Sequence, residues 1–515
     1  MGAGDRWRGQ ARRAPRRVDG WLIAFGMLLA VSDLALAQQP EPPRQMSPGA
    51  KPVENDPNVF KANPRYEAEP YNPSAQIDIY GGKRAIDAPR PALEIGRALY
   101  EGGPFDQGLS FLGQKNLVFP AFEAFGDWRT AIAFNDNGKK EVGQLATRLN
   151  LDLDMRFTST ERLHAFFRPL DRKTSFTRVE FFGDDADGKG HLKANAVPQD
   201  LFFEGDLGSI YTGLTGSYSK FDLPFAVGLI PMIFQNGIWV DNAFTGGAFT
   251  LPAKNSPWLD ISNMDITFFS GFDKVQTPAL LNADGSRADH NANIFGVAAF
   301  VEANQGFWEG GYGYVQGKDR FRDLSYSSAT VAYTGRFRDI TSNSVRVIWD
   351  FGQDPNAAKK ERKTADGVIL LLENSFVTAR PETLVPYVDL FAGFNRPAPL
   401  AITTGNLLTN TGINFETDAL TNFPKLDDSG QNTYGGALGL EYLFNLDQQL
   451  VLEAATVRVM GNDPGRPAKG DEYALGVRYQ IPLSLDWILR ADAIQGWLIN
   501  AKSVAGGRLE LRRKF

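Results

Sequence analysis

The chain has 515 residues, no cysteine and a formal charge of −6, and phenylalanine alone accounts for 37 residues. The absence of cysteine excludes disulfides and thiolate metal sites, and the acidic balance argues against a nucleic-acid partner. This length suits one large core or one large barrel with a minor appended segment.

The first 37 residues have the pattern of a secretory signal peptide. A stretch rich in arginine precedes an apolar run from Trp21 to Leu36, and Ala35-Leu36-Ala37 is a small-x-small cleavage pattern. We therefore exclude residues 1–37 from the folded protein, with a permanent signal anchor as the alternative. Because no later stretch approaches 18 consecutive apolar residues, we expect the exported chain to be soluble or to span a membrane as a barrel.

Residues 38–120 form an N-terminal segment that is rich in proline up to residue 75. Such a composition cannot bury enough apolar surface to fold alone. Residues 77–80 look like a short strand, and residues 92–100 look like a short helix. We expect 38–120 to be a weakly structured periplasmic leader, and a plug inside the barrel that follows is the alternative.

Residues 121–515 contain repeated strand-length segments of alternating character. In 149–157, apolar side chains at odd positions alternate with polar or charged ones at even positions. Successive side chains of a strand point to opposite faces, so one face is apolar and the other is charged. The same alternation recurs at 263–268, 329–338, 344–351, 472–481 and 485–492. We predict an all-β fold, an antiparallel transmembrane β-barrel of about 16 strands, within a range of about 14 to 18.

The connections between these segments have two lengths. Short turns are expected at 158–161, 303–306 and 445–448, and long polar insertions at 170–200, 272–292, 353–366 and 396–432. Tight periplasmic turns and long extracellular loops are typical of membrane barrels. Two segments, 295–301 and 368–372, are apolar on both faces. We expect them to cross a filled part of the lumen or to pack against a loop folded into it.

The final segment, residues 508–515, places Leu509, Leu511 and Phe515 on one face and ends on an aromatic residue. In this the chain resembles the bacterial outer-membrane β-barrels, whose last strand typically alternates and ends in Phe. Arg513 departs from the pattern, because an apolar or aromatic residue is more usual there. The resemblance implies a location in the bacterial outer membrane, contact with its lipid and lipopolysaccharide, and Phe515 as the membrane-insertion signal that the barrel-assembly machinery reads.

Over residues 121–515 the general plan resembles that of porins, which are often homotrimers, and more weakly that of alginate-export-type barrels. The alternation then predicts which charged side chains line the pore. The electric field of these side chains could set an ion preference, which would give a mixed-charge pore with a weak preference for anions. Alternatively, they could brace the wall as arginine–carboxylate pairs. The predicted pore-lining residues are Arg148, Asp152, Asp154, Arg156, Arg168, Arg336, Arg338, Arg346, Asp350, Glu441, Arg478, Arg490, Asp492, Arg508 and Glu510.

Residues 223–257 are apolar, rich in glycine and interrupted by proline, unlike the other connections. One interpretation is a loop that folds into the lumen as a constriction, with Asp241, Asn242 and Lys254 as its polar groups. The alternative is a bent strand with Trp239 at the membrane interface.

No sequence motif predicts catalysis, a cofactor or a metal. There is neither a P-loop nor a dinucleotide fingerprint, and residues 184–190 look calcium-like but fail the EF-hand spacing. The three histidines, His164, His191 and His290, form no recognisable catalytic set. We therefore predict no catalytic, cofactor-binding or metal-binding residue.

The predicted function is a porin-like outer-membrane channel for passive diffusion of small hydrophilic solutes or ions, and not an enzyme. The alternative is a substrate-specific export or uptake conduit, for example for acidic polysaccharide, whose periplasmic partner docks on residues 38–120. A structural or enzymatic barrel is a third hypothesis.

Overall fold

The computed structural model describes residues 91–97, 108–172, 175–183, 186–356, 362–381, 383–417, 420–444 and 448–515. The predicted signal peptide and most of the predicted leader lie outside these residues. Within them, no helix is long and apolar enough to cross a membrane.

Eighteen antiparallel strands close into one ring. Each strand pairs with the next along the chain, and the last pairs with the first. The antiparallel barrel predicted from the sequence is confirmed, but it has 18 strands rather than about 16. The strands are β1 (Ala121–Asp136), β2 (Glu141–Arg156), β3 (Arg162–Phe167), β4 (Pro198–Asp206), β5 (Pro224–Phe234), β6 (Val240–Ser256), β7 (Ile261–Asp273), β8 (Ala292–Ala303), β9 (Gly306–Gly317), β10 (Tyr326–Phe337), β11 (Thr341–Phe351), β12 (Asp366–Phe376), β13 (Leu384–Arg396), β14 (Thr433–Phe444), β15 (Gln448–Val459), β16 (Glu472–Pro482), β17 (Trp487–Leu498) and β18 (Val504–Lys514).

A few short elements accompany the ring. The strand Ser175–Gly183 continues β3 along β2, and Leu93–Gly96 pairs with the first residues of β1. The latter strand contradicts the short helix predicted over 92–100 at residues 93–96, and residues 98–100 of that prediction lie outside the described residues. The other elements are the helix α1 (Leu207–Thr215), the short strands Asp171–Arg172, Gly190–His191 and Ala401–Ile402, and the 3-10 helices Ser110–Leu112, Pro257–Leu259 and Asp319–Leu324.

The alternation of the strands separates an apolar outer face from a polar inner face. In β2, Leu145 and Met155 are exposed whereas Arg148 and Asp154 are buried. In β18, Leu509 is exposed between buried charged neighbours. A closed barrel with an apolar outer face is the strand architecture that satisfies every backbone group in lipid. The structure therefore confirms an outer-membrane barrel.

The two ends of the barrel differ as predicted. One end carries short turns at 157–161, 304–305 and 338–340 and one longer connection, 207–223, which contains α1. The other end carries the long connections 168–197, 274–291 and 397–432. We call these the turn end and the loop end. Phe515 lies at the turn end, where its backbone pairs with Gly126 of β1. By the asymmetry of membrane barrels, the turn end is periplasmic and the loop end is extracellular.

A hydrophobic core occupies part of the loop end of the lumen. Leu400, Leu407 and Phe415, all from the 397–432 connection, pack there in a cluster with buried residues of the strands. Ala298 of β8 and Ile369 of β12 belong to the same cluster. The two segments that are apolar on both faces therefore pack against a folded-in loop, which is one of the two predicted outcomes.

Candidate functional site: the barrel lumen

Three segments from the loop end fold into the lumen. They are the tip of the β5–β6 hairpin (residues 235–239), the connection 274–291, and the connection 397–432, which we call the long lumen loop. Asn242 joins them, because its Nδ2 donates to Thr403 Oγ1 at 3.1 Å and its Oδ1 accepts from the Gln276 backbone N–H at 3.1 Å. The Arg287 guanidinium donates to the carbonyls of Ile402 and Gly405. These contacts fix the loops against each other inside the barrel.

The hairpin tip is anchored by Trp239, which is fully buried. Its Nε1 donates to Ser328 Oγ on β10 at 3.1 Å. Its ring lies so close to Gly311 of β9 that a Cβ there would meet it at 2.5 Å. Trp239 is thus inside the lumen, and the alternative that placed it at the membrane interface is wrong.

The prediction that residues 223–257 form a constriction loop is wrong for most of that stretch, because they form the wall strands β5 and β6. Only the tip of this hairpin turns inward. The structure brings Asp241 and Asn242 together with the long lumen loop, since the Thr403 backbone N–H donates to the Asp241 carbonyl at 2.8 Å. Lys254 does not join them, because it is exposed towards the opposite end of β6.

One side of the lumen, formed by β16–β18 and β1–β3, carries most of the inward-facing arginines. We call it the arginine wall. Asp492 of β17 lies at its centre and accepts from Arg478 Nε at 2.8 Å, Arg490 Nε at 2.9 Å and Arg508 Nη2 at 2.6 Å. One buried carboxylate therefore joins three guanidiniums on three adjacent strands. This is the bracing by arginine–carboxylate pairs that the sequence offers as one role for the inward-facing charges.

Glu416 ties the long lumen loop to the same cluster. Its carboxylate accepts from Arg490 Nη2 at 3.1 Å and also from Arg478. Burial alone would raise the pKa of Glu416, but the two guanidiniums outweigh burial and hold the pKa below its ordinary value. The ionised form of this side chain is therefore the form that fastens the loop to the wall.

Other arginines of this wall are paired across neighbouring strands or with nearby loops. Arg148 donates to Asp171 at 2.7 Å and stacks on Phe176, whose ring centroid is 4.6 Å away. Charge-assisted pairs of this kind hold arginines in fixed positions in a partly buried setting. The further pairs are Arg129 with Glu510, Arg156 with Glu123, Arg162 with Asp154 and Glu204, and Arg512 with Asp127.

Arg168 differs from these neighbours. Among the described residues its guanidinium has no ion pair, and its Nε is buried without a hydrogen-bond partner. It lies over the ring of Phe166, 5.1 Å from the centroid. Asp171 and Asp200 act on its charge without contacting it. An inward-facing guanidinium without a partner retains its donors for a passing anion.

The opposite side of the lumen, formed by β8–β15, carries mainly carboxylates, and we call it the acidic wall. Its fully buried Arg346 pairs with Glu373 at 2.6 Å. Phe300 and Phe307 stack there with ring centroids 5.6 Å apart and remain partly exposed on the inner face. The other inward-facing carboxylates of this wall are Glu302, Glu309, Asp350, Asp389, Glu441 and Glu453.

The predicted pore-lining residues fall into three environments. Most belong to the arginine wall, where Asp152 and Asp154 also face His164, whose ring nitrogens lie 3.5 and 3.8 Å from their carboxylates. Arg346 and Asp350 are buried in the acidic wall, and the Ala398 backbone N–H donates to Asp350 at 2.7 Å. Arg336 is exposed near the turn end of β10, and Arg338 lies in the turn after it.

Sequence reasoning missed the long lumen loop and Glu416. The loop was expected to be a polar extracellular insertion, and the structure corrects this because Leu400, Leu407 and Phe415 are fully buried. These widely spaced apolar residues are the signal that could have identified it.

The described residues contain no group of three or more side chains arranged to hold a metal ion. His191 lies 3.2 Å from Asp187, and both side chains are partly exposed. Asp184 and Asp185, which belong to the calcium-like stretch, lie outside the described residues.

Two of the solved structures that resemble this barrel are the Pseudomonas aeruginosa outer-membrane porins OccK11 (OpdR) and OccK9 (OpdG). Each match has a TM-score of 0.50 and 13% identity and covers 76% of this chain, together with 96% of OccK11 and 98% of OccK9. No family model and no curated protein matches the sequence. The protein thus has the fold of an outer-membrane porin.

Proposed function

We propose that this protein is a passive outer-membrane channel for small hydrophilic solutes that favours anions. The observation that carries the proposal is the arginine wall, which faces a lumen narrowed by the folded-in loops. The mechanism is filtering by size and charge without covalent chemistry. The loops limit the size of a solute, and the summed field of the wall sets the preferred charge.

Within this wall the arginines have two roles. Those bound to Asp492 and Glu416 brace the wall, and their charge is largely balanced by these carboxylates. Arg168 is the residue that we propose to contact the solute, because its planar fork of donors matches a carboxylate or phosphate and is not already occupied. The carboxylates of the acidic wall repel an anion towards this side.

Reconstitution of the purified protein in planar lipid bilayers tests the proposal. The expected result is stepwise conductance that is larger in salts of a small anion with a bulky cation than in salts of a small cation with a bulky anion. A bilayer that remains sealed under voltage would show that the lumen is closed and that the barrel is not a channel.

A conduit for a larger anionic substrate, such as an acidic polysaccharide, is the second candidate. It is favoured by the extent of the arginine wall, which runs from Arg156 and Arg512 near the turn end to Arg148 and Arg508 further along the strands. Such a substrate would block the current of small ions reversibly when added to one side. Its periplasmic partner would dock on residues 38–120, so deleting that segment would abolish transport but leave conductance intact.

We further propose that Phe515 is the insertion signal for the barrel-assembly machinery, that residues 1–37 are the signal peptide, and that the barrel forms a homotrimer. The Phe515 backbone N–H donates to the Gly126 carbonyl at 3.0 Å and its carbonyl accepts from Gly126 N–H at 2.8 Å, so its backbone has a fixed position at the turn end. Removing Phe515 should lower the yield of assembled barrel in cells, and cross-linking in intact outer membranes should give the trimer.

A further inference from the structure

The helix α1 at the turn end exposes its apolar side chains and buries its small ones. Leu207, Tyr211 and Leu214 have the spacing of one helix face, and their exposed fractions are 42%, 48% and 67%. The opposite face consists of small residues, of which Gly208 and Gly213 are buried. A helix that packs on a protein core has the reverse arrangement.

The orientation of α1 is fixed by close contacts on its small-residue face. A Cβ on Gly213 would lie 2.4 Å from the Leu112 carbonyl oxygen, and one on Gly208 would lie 2.1 Å from the Phe221 carbonyl oxygen. Asp206 caps the helix by accepting from the Ser209 backbone N–H at 2.6 Å. The apolar face therefore cannot rotate inward, because the buried side has no space for larger side chains.

Three exposed aromatic residues beside α1 enlarge this surface. Phe111 and Tyr218 are 78% and 79% exposed, and the ring of Phe221 lies 6.5 Å from that of Tyr211. The Lys115 ammonium lies 3.8 Å from the centroid of the Tyr218 ring. We call this surface the apolar foot, and it consists of Phe111, Leu207, Tyr211, Leu214, Tyr218 and Phe221.

The apolar foot is continuous along the chain with two strands of the barrel wall. Helix α1 connects β4 to β5, whose outward side chains include Leu201, Phe203, Phe225 and Val227. The rings of Phe203 and Phe225 lie 6.0 Å apart near the turn end, directly before and after the α1 connection. The neighbour of the foot on its barrel side is therefore a surface that already faces lipid.

From this continuity we propose that the apolar foot is a phospholipid-binding surface that lies in the boundary between head groups and acyl chains of the periplasmic leaflet. Its chemistry fits that boundary, since leucine, tyrosine and phenylalanine bury their apolar parts while lysine reaches the head groups. The foot would fix the depth of the barrel on the β4–β5 side.

Because the chain has no cysteine, single-cysteine variants of the whole protein test this proposal directly. Leu214→Cys places a nitroxide spin label on the foot, and Asp339→Cys places one in an exposed turn at the same end of the barrel as a matched control. Both are reconstituted in vesicles of phosphatidylethanolamine and phosphatidylglycerol, and relaxation by oxygen is compared with relaxation by a water-soluble nickel chelate.

For each label we take the ratio of relaxation by oxygen to relaxation by the nickel chelate. The proposal predicts that this ratio is at least about threefold higher for the label at 214 than for the label at 339. A label at 214 as accessible to the chelate as the control label would place the foot in water and overturn the proposal. A label at 214 hidden from both reagents would show that protein covers the foot, and this outcome would overturn it as well.

Discussion

The arginine wall and the acidic wall share one backbone plan but differ in what their inner faces hold. In both, outward positions are apolar, as at Leu509 of β18 and Val345 of β11. At inward positions, the arginine wall joins guanidiniums on adjacent strands through Asp492, whereas the acidic wall pairs Arg346 with Glu373 and carries mainly carboxylates. The comparison teaches that alternation determines the architecture, while the choice of inward side chain determines the electrostatics of the lumen.

The two walls also differ in their relation to the loops. The arginine wall holds the long lumen loop through ion pairs of the ionised Glu416. On the other side Leu400 lies against Gly313 of β9, and carboxylates of the acidic wall accept from backbone N–H groups of the loop, Asp350 from Ala398 and Glu453 from Ile413 and Asn414. Changes at the two walls should therefore have distinguishable effects.

The largest effect is expected from Asp492→Asn, which removes the charge shared by three arginines. Removing one charge from a buried ionic cluster costs about 3–5 kcal/mol, so we expect a clear loss of stability in urea unfolding followed by tryptophan fluorescence in vesicles. Glu441→Gln on the acidic wall is the control, because among the described residues the side chain of Glu441 accepts its one hydrogen bond from the neutral Gln449. Equal stability of the two variants would contradict the bracing role.

Glu416→Gln should act on the loop rather than on the wall. The change weakens two charge-assisted hydrogen bonds, each worth about 1.5–3 kcal/mol, so we expect the long lumen loop to leave the arginine wall more often. Single-channel recordings should show a larger mean conductance and more frequent transitions. Unchanged recordings would mean that the remaining contacts of the loop hold it without Glu416.

The same contact predicts a pH dependence. Because the pKa of Glu416 is lowered, its ionised form stabilises the docked loop fully at pH values above the ordinary glutamate pKa near 4.5. This stabilisation is lost as the pH falls through the lowered pKa. We expect the wild-type conductance to become larger and noisier below about pH 4.5 and to recover on neutralisation. Recordings of Glu416→Gln serve as the control and should show no such transition.

The smallest of these effects is expected from Arg168→Gln, which removes one unpaired charge from the lumen. At a separation of about 4 Å in water this charge is worth about 1 kcal/mol to a passing anion, so the ratio of anion to cation permeability should fall about fivefold. Arg338→Gln, in an exposed turn, should leave the ratio unchanged. Identical ratios for both variants would exclude Arg168 as the residue that contacts the solute.

The sequence predicts the strands well wherever the inner face is charged. In β2, β16 and β18 the contrast between the two faces is complete, because lipid lies on one side and polar lumen on the other. In β5 and β6, and at Ile369 of β12, the inner face packs against folded-in loops, so apolar side chains occupy both faces and the alternation disappears. That loss of contrast accounts for the underestimated number of strands.

The site was predictable at the level of individual charges but not of their partners. The alternation of side chains along each strand is enough to place Arg478 and Arg490 on the inner face. It cannot show that Glu416, more than 60 residues earlier in the chain, reaches them, because this contact depends on the path of a loop without periodic structure. For the same reason Arg168 could not be distinguished from its paired neighbours.

The most direct test of the central claim is the reversal potential of the wild-type channel in a tenfold gradient of potassium chloride. If the arginine wall controls the lumen, the reversal potential has the sign expected for a channel more permeable to chloride than to potassium. For Arg168→Gln we expect a reversal potential closer to zero. A wild-type potential with the sign of potassium permeation would mean that the acidic wall controls the lumen, and it would contradict the proposal that this channel favours anions.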